Sequence, residues 1–196
     1  MQNRKYWLLF GGLLVLRGLM SLVVPLIDDE PYYWSWTRYP FQLSYFDHPA
    51  LLNAIQSNVV KIFGSSAFSI RITSFLMFCG IAYVFWLIAN EVFGTKVANA
   101  VGVLVHFIPI WGIAGYSTVP DSPFALVWLT TAFVFIKLVR SENINDQAKY
   151  WILLGFSFGI GINAKFIILS LAPGMLLYIL LDAKLRKHLL TKWPWI

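Results

Sequence analysis

The sequence predicts an all-α integral membrane protein of about six transmembrane helices, and three observations carry that expectation. Of the 196 residues, 59% are hydrophobic and only 12% are charged, where a soluble domain carries about 25% charged residues. The apolar residues gather into runs close to the roughly 20 that a helix needs to cross a hydrocarbon core about 30 Å thick. The lysines and arginines, which set a formal net charge of +6, fall in short segments between those runs instead of along one soluble face, so the charge reads as membrane orientation and not as a nucleic-acid surface.

Taken in order, the spans are expected at residues 6–27, 68–89, 97–115, 124–139, 150–164 and 166–181. The first follows the basic start "MQNRKY", but it is too long for a signal-peptide apolar region, contains Arg17 and precedes no small-residue cleavage site, so it is expected to be retained. The fifth and sixth are short and nearly contiguous, which predicts a tight helical hairpin or a partial span. Glycine pairs within spans, Gly11–Gly12 and the set Gly155, Gly159 and Gly161, point to close helix packing. The single cysteine, Cys79, excludes an internal disulfide and any paired-cysteine redox or zinc motif.

Orientation follows from the basic residues. With the N-terminus cytoplasmic, the inner segments carry ten lysines and arginines (Arg4, Lys5, Lys96, Lys137, Arg140, Lys149, Lys184, Arg186, Lys187, Lys192) against four outside (Arg38, Lys61, Arg71, Lys165), which places the protein as a multi-pass chain of the cell inner membrane. The chain reads as a single membrane domain, 1–196, with an outer loop over 28–66 and a basic inner tail over 182–196. That loop is too long for a bare connection. "EPYYWSWTRY" predicts a short helix, with Pro31 in its first turn and acids at its positive end. "HPALLNAIQSNVVKIFG" predicts an amphipathic helix with Leu52, Ile55, Val59 and Ile62 on one side and Asn53, Gln56, Ser57 and Lys61 mostly on the other. Both are expected to lie in the membrane interface.

The same orientation gathers Asp28, Asp29, Glu30, Asp47 and Asp121 on the outer face. A helix cap accounts for one acid of "DDE" but not for three, because adjacent carboxylates repel unless cations offset them. The cations on offer are Arg17, Arg71, Lys165 and His48. Arg17 lies near mid-span, where pairing with an acid such as Asp28 and a functional role are both open; Arg71 and Lys165 have snorkelling as the plain alternative. Asp121, ahead of Ser122 and Pro123, reads equally as an N-cap. His106 is expected to be a hydrogen-bonded interior histidine. Three scattered histidines make no metal cluster. From the residues alone the chain carries an acidic, aromatic pocket at the bilayer surface, suited to an amphiphile with an apolar tail and a polar head.

In order along the chain, "DDEPYYWSW", "LSYFDHPALLNAI", "FGSSAFSIRITSF", "YSTVPDSPFALVW" and "GINAKF" resemble the bacterial family-39 glycosyltransferases, relatives of protein O-mannosyltransferases and of the lipid A aminoarabinose transferase, with the GT-C membrane fold. The resemblance implies a transferase that moves a sugar from a polyprenyl-phosphate donor to a hydroxyl on a lipid, glycan or protein acceptor. It maps the family's catalytic acid onto Asp29, and its partners in substrate binding onto Glu30, Tyr33, Asp47, His48, Arg71, Asp121 and Lys165; His48 stands where aminoarabinose-transferase relatives carry lysine. It implies no certain cofactor and leaves a divalent metal open. Family members are usually longer, so the chain looks like an N-terminal half. The competing readings are a non-catalytic membrane component or transporter that binds a lipid-phosphate carrier, for which broken helices and an inverted repeat are expected and not seen in the sequence, and an inactive truncated fragment.

Overall fold

Long uninterrupted apolar runs without proline leave the backbone no better partner than itself, and the computed structural model, which describes residues 2–195, is accordingly helical. Its helices are α1 (Gln2–Val23), α2 (Asp29–Ser35), α3 (Leu51–Phe63), α4 (Ala67–Phe93), α5 (Thr95–Leu104), α6 (Pro109–Ala114), α7 (Asp121–Arg140), α8 (Ile144–Ala164), α9 (Leu171–Leu181) and α10 (Ala183–Arg186). Among the described residues the only β pairing is an isolated bridge between Ser44 and Pro49.

Three helices are long and apolar enough to cross a membrane: Arg4–Val23 within α1, α4 and α7, with 20, 27 and 20 residues. Leu8, Val15, Leu16, Leu19 and Leu22 of α1 are exposed, an apolar surface that lipid is suited to cover. α4 starts with a reciprocal cap between Ser66 and Ser69 and stops at Gly94, whose φ of 84° lies in the region glycine favours. The predicted spans at 150–164 and 166–181 take other forms. α8 opens on a polar stretch ending in Gln147, Ala148 and Lys149. Lys165, in extended backbone, is the one residue between it and a 3₁₀ segment, Phe166–Ser170, that leads into α9. The helical stretch Phe166–Leu181 then meets Ala183–Leu190 at 98°, a fourth crossing if the pair counts as one span.

The predicted span at 97–115 is not continuous. α5 ends at Leu104, a 3₁₀ turn covers Val105–Phe107, and α6 starts at Pro109, whose ring removes an N–H and disfavours helix in the residue before it. A broken helix is therefore present, contrary to the sequence expectation. Arg17 bonds across it: Nη1 donates to Gly112 O in α6 and Nη2 to His106 O in the 3₁₀ turn, each at 2.9 Å, and the guanidinium carbon lies 4.0 Å from the centre of the Phe78 ring. A Cβ on Gly115 would stand 2.8 Å from Nη1, so glycine makes room for the arginine there. Asp28, the acid offered as a partner, is exposed instead. His106 is buried between the rings of Phe10 and Phe78, and neither of its ring nitrogens has a partner among the described residues; it is not the hydrogen-bonded histidine expected.

The helices meet through apolar cores. Ile81 and Val84 of α4 pack on Leu129 of α7, and Val134 and Leu138 of α7 pack on Leu154 of α8 and Met175 of α9. Of the glycines the sequence indicated for close packing, only Gly161 is closely packed. A Cβ on Gly11, Gly12, Gly155 or Gly159 would touch nothing, whereas one on Gly161 would come within 2.6 Å of Ile168. α3 turns Leu52, Asn53 and Gln56 to its buried side and leaves Ile62 74% exposed. The two ends of the bundle are held differently. Glu91 at the end of α4 meets Lys137 at 3.1 Å and Arg140 at 3.9 Å near the end of α7, and the opposite end gathers Glu30 with Arg71 and Asp121 with Lys165.

Candidate active site

α2 opens with three carboxylates, and the fold separates their fates. Asp28 and Asp29 are exposed, while Glu30 is wholly buried. Glu30 Oε2 accepts from the Ile27 N–H at 2.9 Å and pairs with Arg71 Nη2 at 2.9 Å; Oε1 accepts from the Thr118 N–H at 2.9 Å. Arg71, 2% exposed, also donates to the carbonyls of Pro25 and Tyr116. It does not snorkel. One buried ion pair thus ties the exit of α1, the first turns of α4 and the 116–118 segment to the start of α2, and Thr118 adds a hydroxyl bond of 2.6 Å to Ile70 O. Neither oxygen of Glu30 lacks a partner, so this pair fixes the ground on which Asp29 stands.

Above it lies an aromatic and acidic surface. Tyr33 is buried edge-on against Trp36, His48 and Tyr32, with ring centres at 5.0, 5.7 and 5.1 Å. Trp36 stacks on Tyr45 at 4.3 Å. The exposed Tyr32 hydroxyl donates to Asp47 Oδ1 at 3.2 Å. Burial, and after it the fields of Asp47, Asp29, Tyr32 and Asp121, push the Tyr33 phenol up to about 12, so it remains a hydrogen-bond donor at neutral pH. That shared field brings together Asp29, Asp47 and Asp121 from three separate segments. Asp121 is the first residue of α7 but makes no cap; its Oδ1 accepts from Lys165 Nζ at 2.7 Å. The Asp121 side chain is 63% exposed and that of Lys165 25%. Asp28 likewise occupies the cap position of α2 without capping it.

Of the eight residues singled out in the sequence, Asp29, Tyr33, Asp47, His48, Asp121 and Lys165 share this surface, and Glu30 and Arg71 lie beneath it. No pattern of side chains pointed to Thr118, whose contribution is a backbone N–H, or to Asn53, which donates to the Tyr45 hydroxyl and accepts from Ser57 Oγ at 3.1 Å. Among the described residues no three His, Cys, Asp or Glu side chains come together as a metal-ligand set. The surface borders an apolar groove of about 490 Å³ between the 41–54 segment and α8, lined by Phe41, Leu43, Leu51, Phe156, Gly159 and Ile160. Polar donors, carboxylates and a cation beside an apolar trough can bind a phosphate-bearing amphiphile and move a proton next to it.

Known proteins share this sequence pattern. The undecaprenyl phosphate-alpha-4-amino-4-deoxy-L-arabinose arabinosyl transferase of Wigglesworthia glossinidia brevipalpis is 28% identical over 149 residues, which cover 74% of this chain and 26% of the relative. The transferase of the same name from Erwinia tasmaniensis is 27% identical over 182 residues, 84% of this chain and 32% of the relative. The chain thus spans about a quarter to a third of the length of these curated relatives. No solved structure is significantly similar to it. Residues 47–196 match the family described as dolichyl-phosphate-mannose-protein mannosyltransferase, and with the match covering most of its length the chain belongs to that family of membrane glycosyltransferases.

Proposed function

We propose that this chain carries the catalytic half of a GT-C membrane transferase that moves a sugar from a polyprenyl-phosphate donor to an acceptor hydroxyl on the outer side of the cell inner membrane. The observation that carries the reading is the split within "DDE": Glu30 is buried and saturated with partners, while Asp29 beside it is exposed at the Tyr33 surface. In the reaction Asp29 takes the proton of the acceptor hydroxyl. The acceptor oxygen then forms its bond to the anomeric carbon, and the bond from that carbon to the phosphate oxygen breaks, with its electron pair leaving on the polyprenyl phosphate. Lys165 and His48 face the phosphate and stabilise the charge that develops there. Tyr33, held protonated, donates to the sugar or phosphate, Asp121 and Asp47 orient the acceptor, and the groove beside α8 takes the prenyl tail. Glu30 and Arg71 act through the position of α2.

The relatives' names support the donor class, since both are undecaprenyl phosphate-linked sugar transferases. The purified chain in detergent should bind undecaprenyl phosphate and discriminate against undecaprenol, which lacks the charge. Equal binding of the two, or none of either, would remove the donor site. The orientation has its own check in a Cys79→Ser background: a cysteine at Ser65 should react with an impermeant reagent from outside the cell, and one at Glu142 should not. The reverse pattern would put the site on the wrong side.

A further inference from the structure

We infer that the end of the molecule opposite Asp29 holds a second lipid site, built to take an anionic phospholipid of the bilayer. A groove of about 560 Å³ opens between α8, α9 and the C-terminal segment, with Trp151, Phe158, Met175, Ile179, Leu189 and Trp195 among its walls. It lies on the other side of α8 from the groove beside the candidate active site. Trp151, Leu154 and Phe158 recur at helical spacing on one face of α8, and Phe156, Gly159, Ile160 and Asn163 on another roughly 200° away by residue count.

The groove's outer wall is a fold in its own right. Asp182 accepts from the N–H groups of Lys184 and Leu185 at 2.9 and 2.8 Å and so starts α10. The chain turns by 98° at that point, Trp151 Nε1 donates to His188 Nδ1 at 3.3 Å, and Trp195 Nε1 donates to Leu189 O at 2.9 Å. The segment folded back in this way carries Lys184, Arg186, Lys187 and Lys192, all exposed. Its one acid, Asp182, is committed to the cap, and among the described residues none of the four cations pairs with a carboxylate; Lys192 lies over the Trp193 ring instead. An apolar trough walled by two tryptophans, one of them on a segment that carries four exposed positive charges, is complementary to an acyl chain joined to a phosphate headgroup. The occupant is a phospholipid and not the proposed donor, because the donor's phosphate belongs with Lys165 at the far end of α8. The inference rests on the protein being in a membrane and is independent of the transfer reaction.

The test uses the chain purified in neutral detergent, with phosphatidylglycerol, phosphatidylcholine and undecaprenyl phosphate as probes and native mass spectrometry as the readout. Phosphatidylglycerol should be retained over phosphatidylcholine. Lys187→Gln with Lys192→Gln should weaken it about 30-fold, and Ala172→Trp, which fills the groove, should weaken it without changing the charge. Quenching of tryptophan emission by phosphatidylglycerol with brominated acyl chains should fall in Trp195→Phe, which supplies a readout on the unaltered groove. Equal retention of the two phospholipids would overturn the site. Loss in the charge variant but not in Ala172→Trp would reduce the segment to a polybasic surface, and displacement by equimolar undecaprenyl phosphate would reassign the groove to the donor; either result would overturn the proposal. Failure of Asp29→Asn to lose transfer would leave it untouched.

Discussion

Two ion pairs stand at the same end of this bundle with nearly the same separation, Glu30–Arg71 at 2.9 Å and Asp121–Lys165 at 2.7 Å, yet they have different work. In the first, the side chains are 0% and 3% exposed; in the second, 63% and 25%. Removing one member of a buried pair strands a charge that water cannot reach, whereas an exposed pair exchanges its partner for water or for an arriving anion at little cost. Glu30 and Arg71 are therefore scaffold, and Lys165 is free to change partners. Distance alone does not make the distinction; exposure to water does.

The largest effect should come from splitting the buried pair. Arg71→Met or Glu30→Leu alone should destabilise the folded chain by about 3–5 kcal/mol, read as loss of the folded peak on detergent size exclusion or a large drop in melting temperature. The double replacement should recover part of that loss. If both singles melt normally, the pair is not what holds α2. Lys165→Ala should move stability by less than about 1 kcal/mol and yet lower undecaprenyl phosphate affinity by roughly 10- to 100-fold, the worth of a charge-assisted hydrogen bond. Normal affinity in that variant would place the phosphate elsewhere.

The smallest effect is one of pH. The Tyr33 phenol lies at about 12 in the fold against an ordinary 10, so the fold favours its neutral form. Its contribution is fully present below pH 10 and is lost as pH rises toward 12, because the unfolded chain ionises first. Melting followed from pH 9 to 12 should decline more steeply in the native chain than in Tyr33→Phe, by less than about 2 kcal/mol. Identical slopes would mean that neither burial nor the acids around Tyr33 raise it.

Much of this arrangement was legible in the sequence because it depends on side chains whose chemistry declares itself. The acids of "DDE", the "FDHP" turn and "VPDSP" all come to one surface, and the close turn at Lys165 follows from two apolar runs with no room between them. What stayed hidden depends on backbone and on rotation. The fate of Glu30 turns on two N–H groups, from Ile27 and Thr118, that no side-chain pattern announces. The break in the third span was written in Pro109 but masked by the apolar residues on either side, and the 3₁₀ turn at the break presents the His106 carbonyl to Arg17. The two sides of α3 were legible as a pattern, but which side meets the protein was not: the structure buries Asn53 and Gln56 and leaves Ile62 outward.

Asp29 and Glu30 are neighbours in sequence and opposites in environment, and the account stands on that contrast. Its most direct test is sugar transfer from an undecaprenyl phosphate-linked donor by Asp29→Asn, in this chain extended with the remaining length of the Erwinia tasmaniensis relative, with melting and undecaprenyl phosphate binding measured on the same preparation. Removing a general base should lower transfer by about 10² to 10⁴-fold while melting and binding stay as they are in the parent. Near-parental transfer by Asp29→Asn, with binding intact, would contradict the assignment of Asp29 as the base.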